Sequence, residues 1–192
     1  MKKAVFLDRD GTINPDEFGY ISQPEDFHLF PFAAEAISIL NKLDFLVFIV
    51  SNQSGIARGF YTEKDLEKVH TKMLAELEQN GAQVTDIFYS PYHQEGTIEP
   101  FNIEHEDRKP GLGMFKQALQ KYQFPIKDSF MIGDKYSDIA FGRKAGLTTI
   151  LVRSGEGNAE FLQKRKEWEQ KPHYIVNDLL SAVRIIEELE NK

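Results

Sequence analysis

The sequence predicts an α/β domain in which a parallel β-sheet carries helices on both of its faces. Short apolar segments alternate with longer segments of helical periodicity along the chain, and this alternation is typical of βαβ units with right-handed crossovers. The apolar segments are continuous, as in strands that are buried on both sides. We find no internal repeat and no linker, so we expect a single domain over residues 1–192.

The first half of the chain contains three predicted strands and two predicted helices. Continuous apolar runs indicate the strands, and apolar residues at helical spacing indicate the helices. The second helix begins with a capping box at Thr62, with Asp65 in place of the usual Glu, and Gly81 is its expected end. In order, the predicted elements are a strand at 4–7, a loop at 14–31, a helix at 33–43, a strand at 45–50, the helix from Thr62 to Gly81 and a strand at 84–89.

The second half begins with a long polar loop and then continues the alternation. Pro110 opens the next helix, because proline is favoured in the first helical turn. Ser137 or Asp138 caps a short helix, and Asn177 caps the last one. In order, the predicted elements are a loop at 90–108, a helix at 110–122, a strand at 129–132, the short helix closed by Gly146, a strand at 148–152, a helix at 158–169, an edge strand at 173–176 and a helix at 178–190.

The composition argues against several classes of function. The formal net charge is −7, which disfavours a nucleic-acid-binding surface but leaves room for a local cationic pocket. There are no cysteines, so we expect neither disulfides nor a thiolate zinc site. No apolar run is long enough to span a membrane, and no signal peptide precedes the first strand. We therefore expect a cytoplasmic monomer that binds neither nucleic acid nor membranes.

Polar side chains gather at the carboxyl ends of the predicted strands. These residues are Asp8 and Asp10 after the first strand, Ser51 and Asn52 after the second, and Asp134 after the fourth. Lys109 stands just before the third helix. Because the carboxyl ends of parallel strands meet at one edge of a sheet, where ligands bind, we expect these residues to converge.

The chemistry of these residues is that of phosphoryl transfer. A carboxylate can attack phosphorus to form an aspartyl-phosphate that water then hydrolyses. A second carboxylate can protonate the leaving oxygen and later activate that water. Mg²⁺ prefers oxygen ligands and neutralises clustered acids such as Asp8 and Asp10. Lys109 would supply a second cation, and the Ser51 hydroxyl would supply a donor to the phosphate.

Four motifs resemble those of the haloacid dehalogenase (HAD) superfamily of phosphohydrolases, in the same order and after the corresponding strands. The motifs are Asp8-Arg9-Asp10-Gly11-Thr12, Ser51-Asn52-Gln53, Arg108-Lys109-Pro110 and Gly133-Asp134-Lys135-Tyr136-Ser137-Asp138. The resemblance covers nearly the whole chain. It implies a Rossmann-like sheet and Mg²⁺ as the cofactor.

The resemblance also implies a role for each matching residue. Asp8 would be the nucleophile and a metal ligand, and Asp10 would be the general acid and base, with its backbone carbonyl on the metal. Thr12 would support the first loop, and Ser51 and Lys109 would bind the phosphate. Asp134 would be a metal ligand, and Asp138 would orient Lys109 or a metal-bound water. Reactive residues are therefore present at the key position of all four motifs.

A narrower resemblance is to the D-glycero-D-manno-heptose 1,7-bisphosphate phosphatases and the related histidinol-phosphate phosphatases of HAD subfamily IIIA. It depends on the segments DRDGTIN, SNQSGIARG, RKPGLGM and IGDKYSDIAFGRKAG. The substrate-binding residues that it implies are Thr12, Asn52, Gln53, Ser54, Arg58 and Arg108. These phosphatases lack a large cap domain, and neither segment that could hold one is long enough here.

The chain departs from that branch in one loop. Many members carry a zinc loop before the lysine motif, with Cys-Pro-His followed by Cys-x-Cys. Here the corresponding stretch reads Ser90-Pro91-Tyr92-His93 and continues to His105-Glu106-Asp107, without a cysteine. We therefore expect no structural zinc, and the change weakens the assignment of a heptose substrate. The histidines and acids of this loop could bind another metal, but a solvated loop is the simpler interpretation.

These observations predict a Mg²⁺-dependent phosphatase of a small phosphorylated metabolite, acting through an Asp8 phosphoenzyme. The preferred substrate is D-glycero-D-manno-heptose 1,7-bisphosphate, cleaved at its 7-phosphate. A histidinol-phosphate phosphatase is the alternative within enzymes, and a non-catalytic domain that binds a phosphorylated ligand is the alternative outside them. Phe18, Tyr20 and Phe60 flank the expected site, where they would either close over a substrate or fill a gap in the surface.

Overall fold

Six strands and six helices alternate along the chain in a computed structural model that describes residues 1–16 and 19–191. The strands are β1 (Ala4–Leu7), β2 (Leu46–Asn52), β3 (Asp86–Ser90), β4 (Phe130–Gly133), β5 (Thr148–Val152) and β6 (Tyr174–Val176). The helices are α1 (Ala33–Lys42), α2 (Glu63–Gln79), α3 (Gly113–Lys121), α4 (Tyr136–Ala145), α5 (Gly157–Lys164) and α6 (Leu179–Glu190). The alternation predicted from the apolar segments is confirmed.

All of these strands are parallel, and their order across the sheet is β3-β2-β1-β4-β5-β6. β1 lies in the middle, where Val5 is in register with Val47 of β2 and with Phe130 of β4. The strand order changes direction at β1, and ligands bind at the carboxyl ends of the strands beside such a switch point. The predicted fold class is confirmed, and β6 is an edge strand as expected.

Helices cover both faces of the sheet, each over its own apolar layer. One layer joins α1, α2 and α6 to the sheet through residues such as Met73 and Val183. The other joins α3 and α4 through Phe115 and Phe141, whose ring centroids lie 5.6 and 6.4 Å from that of Phe6 in β1. Each such fully buried side chain contributes about 1.5–3 kcal/mol to stability. The well-packed strand β1 therefore fixes the position at which the residues after it begin.

Two element boundaries differ from the prediction in ways that matter for the site. β2 continues through Ser51 and Asn52, because these residues still pair in register with β3. α3 begins at Gly113 rather than at Pro110, because the preceding backbone closes a turn in which the Gly113 N–H donates to the Glu106 carbonyl at 2.8 Å. The end of β2 and this turn both position residues of the site. The other strand ends and most helix ends lie within two residues of the prediction.

Two helix caps were predicted wrongly. The cap of α6 is Asp178 rather than Asn177, since the Asp178 carboxylate accepts the N–H of Ser181 at 2.7 Å. Asp138 lies inside the first turn of α4 rather than at its cap, and it accepts the backbone N–H of Lys135 at 2.9 Å. A carboxylate satisfies exposed N–H groups from either position, so composition alone did not distinguish the two arrangements.

α5 is shorter than predicted, because it ends at Lys164 rather than at residue 169. The chain turns there, and Trp168 packs against Ile139 and Leu151. The Trp168 ring also stacks on Tyr136, with ring centroids 5.2 Å apart. Packing of the tryptophan onto the domain, which was expected, therefore ends the helix early.

Neither segment that could hold a cap domain does so in the residues that the structure describes. Between β1 and α1 there is only a short 3-10 turn at Pro24–Asp26, and residues 91–112 between β3 and α3 form a loop. Within the same described ranges, no helix combines the length and the apolar character needed to cross a membrane.

Candidate active site

Three buried carboxylates meet at the carboxyl edge of the central strands. Asp8 directly follows β1, Asp134 directly follows β4, and Asp138 lies in the first turn of α4. One oxygen from each lies within 4.8 Å of the others, and their residues are only 6%, 0% and 1% exposed. Asp8 and Asp134, the two side chains expected to bind the metal, thus lie together, and Asp138 adds a third carboxylate beside them.

Lys109 supplies positive charge to this carboxylate cluster. Its Nζ lies 2.7 Å from Asp8 Oδ1 and 2.6 Å from Asp138 Oδ1, and it donates to the Val50 carbonyl at 2.7 Å. The contacts with Asp8 and Val50 are hydrogen bonds, and the contact with Asp138 is an ion pair. Burial alone would lower the pKa of Lys109, but the charges of Asp138 and Asp8 outweigh it, so the pKa lies above its ordinary value. Lys109 is charged throughout the physiological range.

The carboxylate cluster has too little positive charge to keep every acid ionised. Burial and the charge of Asp138 raise the pKa of Asp8 to about 6, although Lys109 opposes the shift. Burial, followed by the charges of Asp8 and Asp138, raises the pKa of Asp134 well above its usual range. Asp134 Oδ1 is buried without a hydrogen-bond partner, whereas Oδ2 accepts the N–H of Glu156 at 3.0 Å. A free oxygen among acids suits Mg²⁺, which prefers oxygen ligands.

The carboxylate of Asp10 is held apart from this cluster by Arg9. Arg9 Nε donates to Oδ1 at 3.0 Å and Nη2 donates to Oδ2 at 2.9 Å. Asn14 and Gln53 add further donors at 3.0 and 2.9 Å. Burial alone would raise the pKa of Asp10, but the charge of Arg9 and these hydrogen bonds outweigh it, so the pKa lies below its ordinary value. Asp10 is therefore ionised in the resting site.

The end of β2 holds other site residues in place. Ser51 Oγ accepts from Gln53 Nε2 at 2.7 Å, and Gln53 Oε1 accepts from the Tyr61 hydroxyl at 2.6 Å. Asn52 pairs with the backbone of Lys109, because its Nδ2 donates to the carbonyl at 3.1 Å and its Oδ1 accepts the N–H at 2.9 Å. The polar atoms of Gln53, which was expected to bind substrate, are thus engaged within the protein.

The turn after β1 brings its backbone against Asp134. Gly11 has a φ of +84°, and a Cβ at this position would clash with the Asp134 carboxylate. A Cβ at Gly155 would likewise clash with the Cα of Gly11, and the neighbouring Ser154 Oγ donates to the Gly11 carbonyl at 2.7 Å. Glycine is needed at Gly11 for both its conformation and its close approach.

A pocket of about 320 Å³ lies at this edge of the sheet. Its polar lining includes Asp10, Asn52, Ser54, Arg108, Lys109 and Lys135. The pocket is of a size for a small metabolite. The lining contains four cationic side chains (Arg9, Arg108, Lys109 and Lys135) against three acidic ones (Asp10, Asp16 and Glu156), although the net charge of the chain is −7.

The other residues expected to bind substrate lie at different depths. Ser54 and Arg108 line the pocket. Arg58 lies beside the loop of residues 91–112, where its Nη2 is 3.1 Å from Glu95 Oε2. Thr12 is completely buried and its hydroxyl has no hydrogen-bond partner. Of these four residues, Ser54 and Arg108 are therefore the two that the pocket reaches.

Sequence reasoning did not assign roles to Arg9, Lys135 and Tyr61. Arg9 is 1% exposed, and beyond its ion pair it donates to Gln53 Oε1 at 3.3 Å. Its place between two acids was a usable signal, because such acids need a cation. Lys135 lines the pocket and its Nζ is 3.3 Å from Asp16 Oδ2. The place of Lys135 within the fourth motif could have indicated its role. Nothing in the sequence distinguished Tyr61 from an aromatic residue of the core.

Two aromatic side chains meet beside the pocket. The ring centroids of Tyr20 and Phe60 lie 4.8 Å apart, and the two residues are 43% and 59% exposed. The Tyr20 hydroxyl is 3.4 Å from Ser54 Oγ. The contact joins the loop after β1 to the loop after β2. Phe18, the third aromatic residue expected here, lies outside the described residues.

Comparisons with known proteins agree with this geometry. A HAD-hydrolase-like family model matches residues 107–182. The chain is 37% identical over 184 residues to the D-glycero-beta-D-manno-heptose-1,7-bisphosphate 7-phosphatase of Haemophilus ducreyi, covering 95% of this chain and 97% of that protein. It is 40% identical over 146 residues to the protein of the same name from Rhodopseudomonas palustris, covering 76% and 81%. The crystal structure of D,D-heptose 1,7-bisphosphate phosphatase from B. bronchiseptica, complexed with magnesium and phosphate, matches with a TM-score of 0.83 and 28% identity over 99% of both chains.

Proposed function

The chain belongs to the family of HAD-like phosphoric monoester hydrolases, and we propose that it removes the 7-phosphate of D-glycero-D-manno-heptose 1,7-bisphosphate with the help of Mg²⁺. The observation that carries the proposal is the cluster of Asp8, Asp134 and Asp138 against Lys109, beside a pocket with further cationic side chains. Relatives that match most of the chain are named as phosphatases of this compound. We further propose that residues 1–192 act as a single domain without a large cap.

In the proposed reaction, Asp8 is the nucleophile. One of its carboxylate oxygens bonds to phosphorus while the bond from phosphorus to the ester oxygen breaks, which leaves an aspartyl-phosphate. The departing oxygen takes a proton from the Asp10 carboxyl group. Water then attacks the aspartyl-phosphate and gives a proton to Asp10. This second step releases inorganic phosphate and restores Asp8.

The donor set fits Mg²⁺, since the unpartnered Asp134 Oδ1 lies among acids whose pKa values are raised. Asp8 and Asp134, together with the backbone carbonyl of Asp10, would hold the ion. When bound, Mg²⁺ supplies positive charge that neutralises the clustered acids and the phosphate oxygens. Site-bound Mg²⁺ would therefore favour the ionised form of Asp8, which is the form that attacks.

Lys109 and Ser51 would hold the transferring phosphate. Lys109 reaches Asp8 directly, so a phosphate bonded to that carboxylate would lie within range of the ammonium group. Asn52 fixes the Lys109 backbone, and Asp138 orients its Nζ. Gln53 positions the Ser51 hydroxyl. These contacts keep both donors in place before the substrate arrives.

The cationic side chains beyond Lys109 favour a substrate with a second phosphate. Arg108 and Lys135 line the same pocket. Burial lowers the pKa of Arg108, and the nearby charge of Arg58 lowers it further while Tyr20 opposes the shift. An anion bound at Arg108 would therefore relieve repulsion between two guanidinium groups. We assign the remote phosphate to Arg108, with Arg58 as its neighbour and Ser54 as a hydroxyl donor.

A phosphate-release assay with a panel of substrates tests the proposal. The panel contains the heptose bisphosphate, fructose bisphosphate and histidinol phosphate, each with and without Mg²⁺. We expect the fastest release from the heptose compound and none without the metal. A clear preference for histidinol phosphate would replace the proposed substrate, and binding without release from any compound would support a non-catalytic domain.

The Asp8→Asn variant tests the nucleophile. It should abolish turnover while circular dichroism and the urea midpoint show that the fold persists. The matched control is Asp26→Asn, which changes an exposed acid away from the pocket and should leave the rate unchanged. Phosphate release at the wild-type rate by Asp8→Asn would disprove the aspartyl-phosphate route.

A further inference from the structure

The loop of residues 91–112 carries Arg108 and Lys109 near its end but has no helix or strand of its own in the described structure. A loop of this length inside a compact domain is uncommon and usually functional. The rings of Tyr92 and His105 stack within it, with centroids 3.9 Å apart and planes inclined by 20°. Phe101 packs on the same tyrosine at 5.8 Å. Aromatic packing therefore joins the start of the loop to its end.

The resemblance to the heptose bisphosphate phosphatase branch implies that these residues correspond to its zinc loop, but they do not fit a zinc site. The lone pairs of an imidazole lie in the plane of its ring, so the stacked face of His105 offers none to an ion between it and Tyr92. His105 Nδ1 also accepts the backbone N–H of Asp107 at 3.2 Å. Among the described residues, the only group of three or more acids or histidines close enough to share an ion is that of Asp8, Asp134 and Asp138.

Arg108 forms hydrogen bonds with the backbone carbonyls of both stacked residues. The Arg108 backbone N–H donates to the His105 carbonyl at 3.1 Å. Its guanidinium Nη1 donates to the Tyr92 carbonyl at 3.4 Å. The position of the Arg108 backbone therefore depends on one stacked residue and the direction of its guanidinium group depends on the other.

Lys109 is held by different contacts, although it is the next residue. Its backbone pairs with Asn52 on both sides, and its Nζ binds Asp8 and Asp138. Loosening the stack should therefore displace Arg108 much more than Lys109. In kinetic terms, the contact with a remote anion should weaken while the reacting phosphate stays in place.

We propose that the Tyr92–His105 stack is a metal-free clasp that positions Arg108 for the remote phosphate of the substrate. The inference depends on the proposed function only for the identity of the anion at Arg108. Removing the clasp should raise KM for the heptose bisphosphate about 2- to 10-fold and leave kcat within about 2-fold. KM for the matching heptose 7-phosphate, which lacks the remote phosphate, should not change.

Kinetics of variants at His105 test the clasp. His105→Ala removes one ring and should give the rise in KM, whereas His105→Phe keeps a stacking ring without a metal-binding nitrogen and should restore the wild-type value. Tyr92→Phe is the matched control, since it keeps the ring. In an Arg108→Ala background, His105→Ala should have no further effect on KM. Equal losses on the bisphosphate and the monophosphate, or no change on either, would overturn the proposal.

Hydrogen exchange tests the clasp independently of activity. Backbone amides of residues 91–112 should exchange faster in His105→Ala than in the wild type, and His105→Phe should restore their protection. If the wild type releases no phosphate from any sugar bisphosphate, the proposed function fails, and the exchange result still decides whether the stack orders Arg108. Unchanged exchange in His105→Ala would overturn the proposal. So would one zinc ion per chain in the wild type that is lost in His105→Ala.

Discussion

Replacing Lys109 by methionine tests whether charge holds the carboxylate cluster together. The substitution keeps most of the side-chain volume but removes the ammonium group that lies 2.7 Å from Asp8 and 2.6 Å from Asp138. Both carboxylates are almost completely buried, so they would lose their partner without gaining water. An unpaired buried charge is strongly unfavourable.

Breaking a buried ion pair by removing one partner costs about 3–5 kcal/mol, so Lys109→Met should lose about this much free energy of unfolding at neutral pH in EDTA. The loss should be smaller near pH 5. Burial and Asp138 already raise the pKa of Asp8 to about 6, and Lys109 is one of the charges that oppose the shift. Without Lys109, Asp8 is neutral at that pH and needs no cation. Mg²⁺ should also restore part of the stability, because it supplies charge at the same place.

Urea unfolding followed by circular dichroism measures these changes, with and without Mg²⁺. The matched control is the double variant Lys109→Met with Asp138→Asn, which removes both charges of one pair. It should be more stable than Lys109→Met alone by about 1–3 kcal/mol. If the double variant is no more stable than the single one, the loss comes from packing of the lysine stem, and the argument from unpaired charge is refuted.

The remaining predictions concern a metal ligand, a buried histidine and the turn after β1. Asp134→Asn should weaken Mg²⁺ binding by about tenfold or more in isothermal titration calorimetry, because it removes a buried carboxylate with an unpartnered oxygen; unchanged affinity would exclude this residue as a ligand. Burial, followed by the charge of Arg9, lowers the pKa of His70 from 6.5 to about 3. The unfolded chain therefore binds more protons between these pH values, and stability falls as the pH falls through that window, by about 2 kcal/mol at pH 5. His70→Leu should remove this part of the acid sensitivity in urea unfolding, and an unchanged sensitivity would contradict the assignment. Gly11→Ala should cost more stability than Gly81→Ala, since both have positive φ but only at Gly11 would the Cβ also meet Asp134. Backbone strain alone costs about 1–3 kcal/mol at either site, and phosphatase activity should fall only for Gly11→Ala.

The element order could be predicted because strands buried on both faces leave continuous apolar runs in the sequence. The exact ends could not, since they depend on contacts between distant segments. Ser51 and Asn52 are polar and read as a loop, yet pairing with β3 keeps them in the strand. α5 is a second example, because Trp168 finds its partners Ile139 and Leu151 only in the folded domain.

The convergence of Asp8, Asp134 and Lys109 could be predicted from topology, because parallel strands end at one edge. The partners of Asp10 could not. The direction of the Arg9 side chain is set by the turn in which the N–H groups of Thr12 and Ile13 donate to the Arg9 carbonyl. That direction could not be predicted from the sequence pattern.

Asp8 and Asp10 are separated by one residue, but their pKa values move in opposite directions. Lys109 is shared between Asp8 and Asp138, whereas Arg9 pairs with Asp10 alone. Burial therefore prevails at Asp8 and raises its pKa, while the cation and hydrogen bonds prevail over burial at Asp10 and lower its pKa. In the proposed reaction, the resting Asp10 is ready to act as a base. Its other task, protonating the leaving oxygen, needs the opposite state. A phosphate dianion entering beside Asp10 would raise the pKa of that carboxyl group, so that it takes up a proton from solvent before the ester bond breaks. The arrival of the substrate thus prepares Asp10 as an acid, and departure of the leaving group prepares it as the base for water.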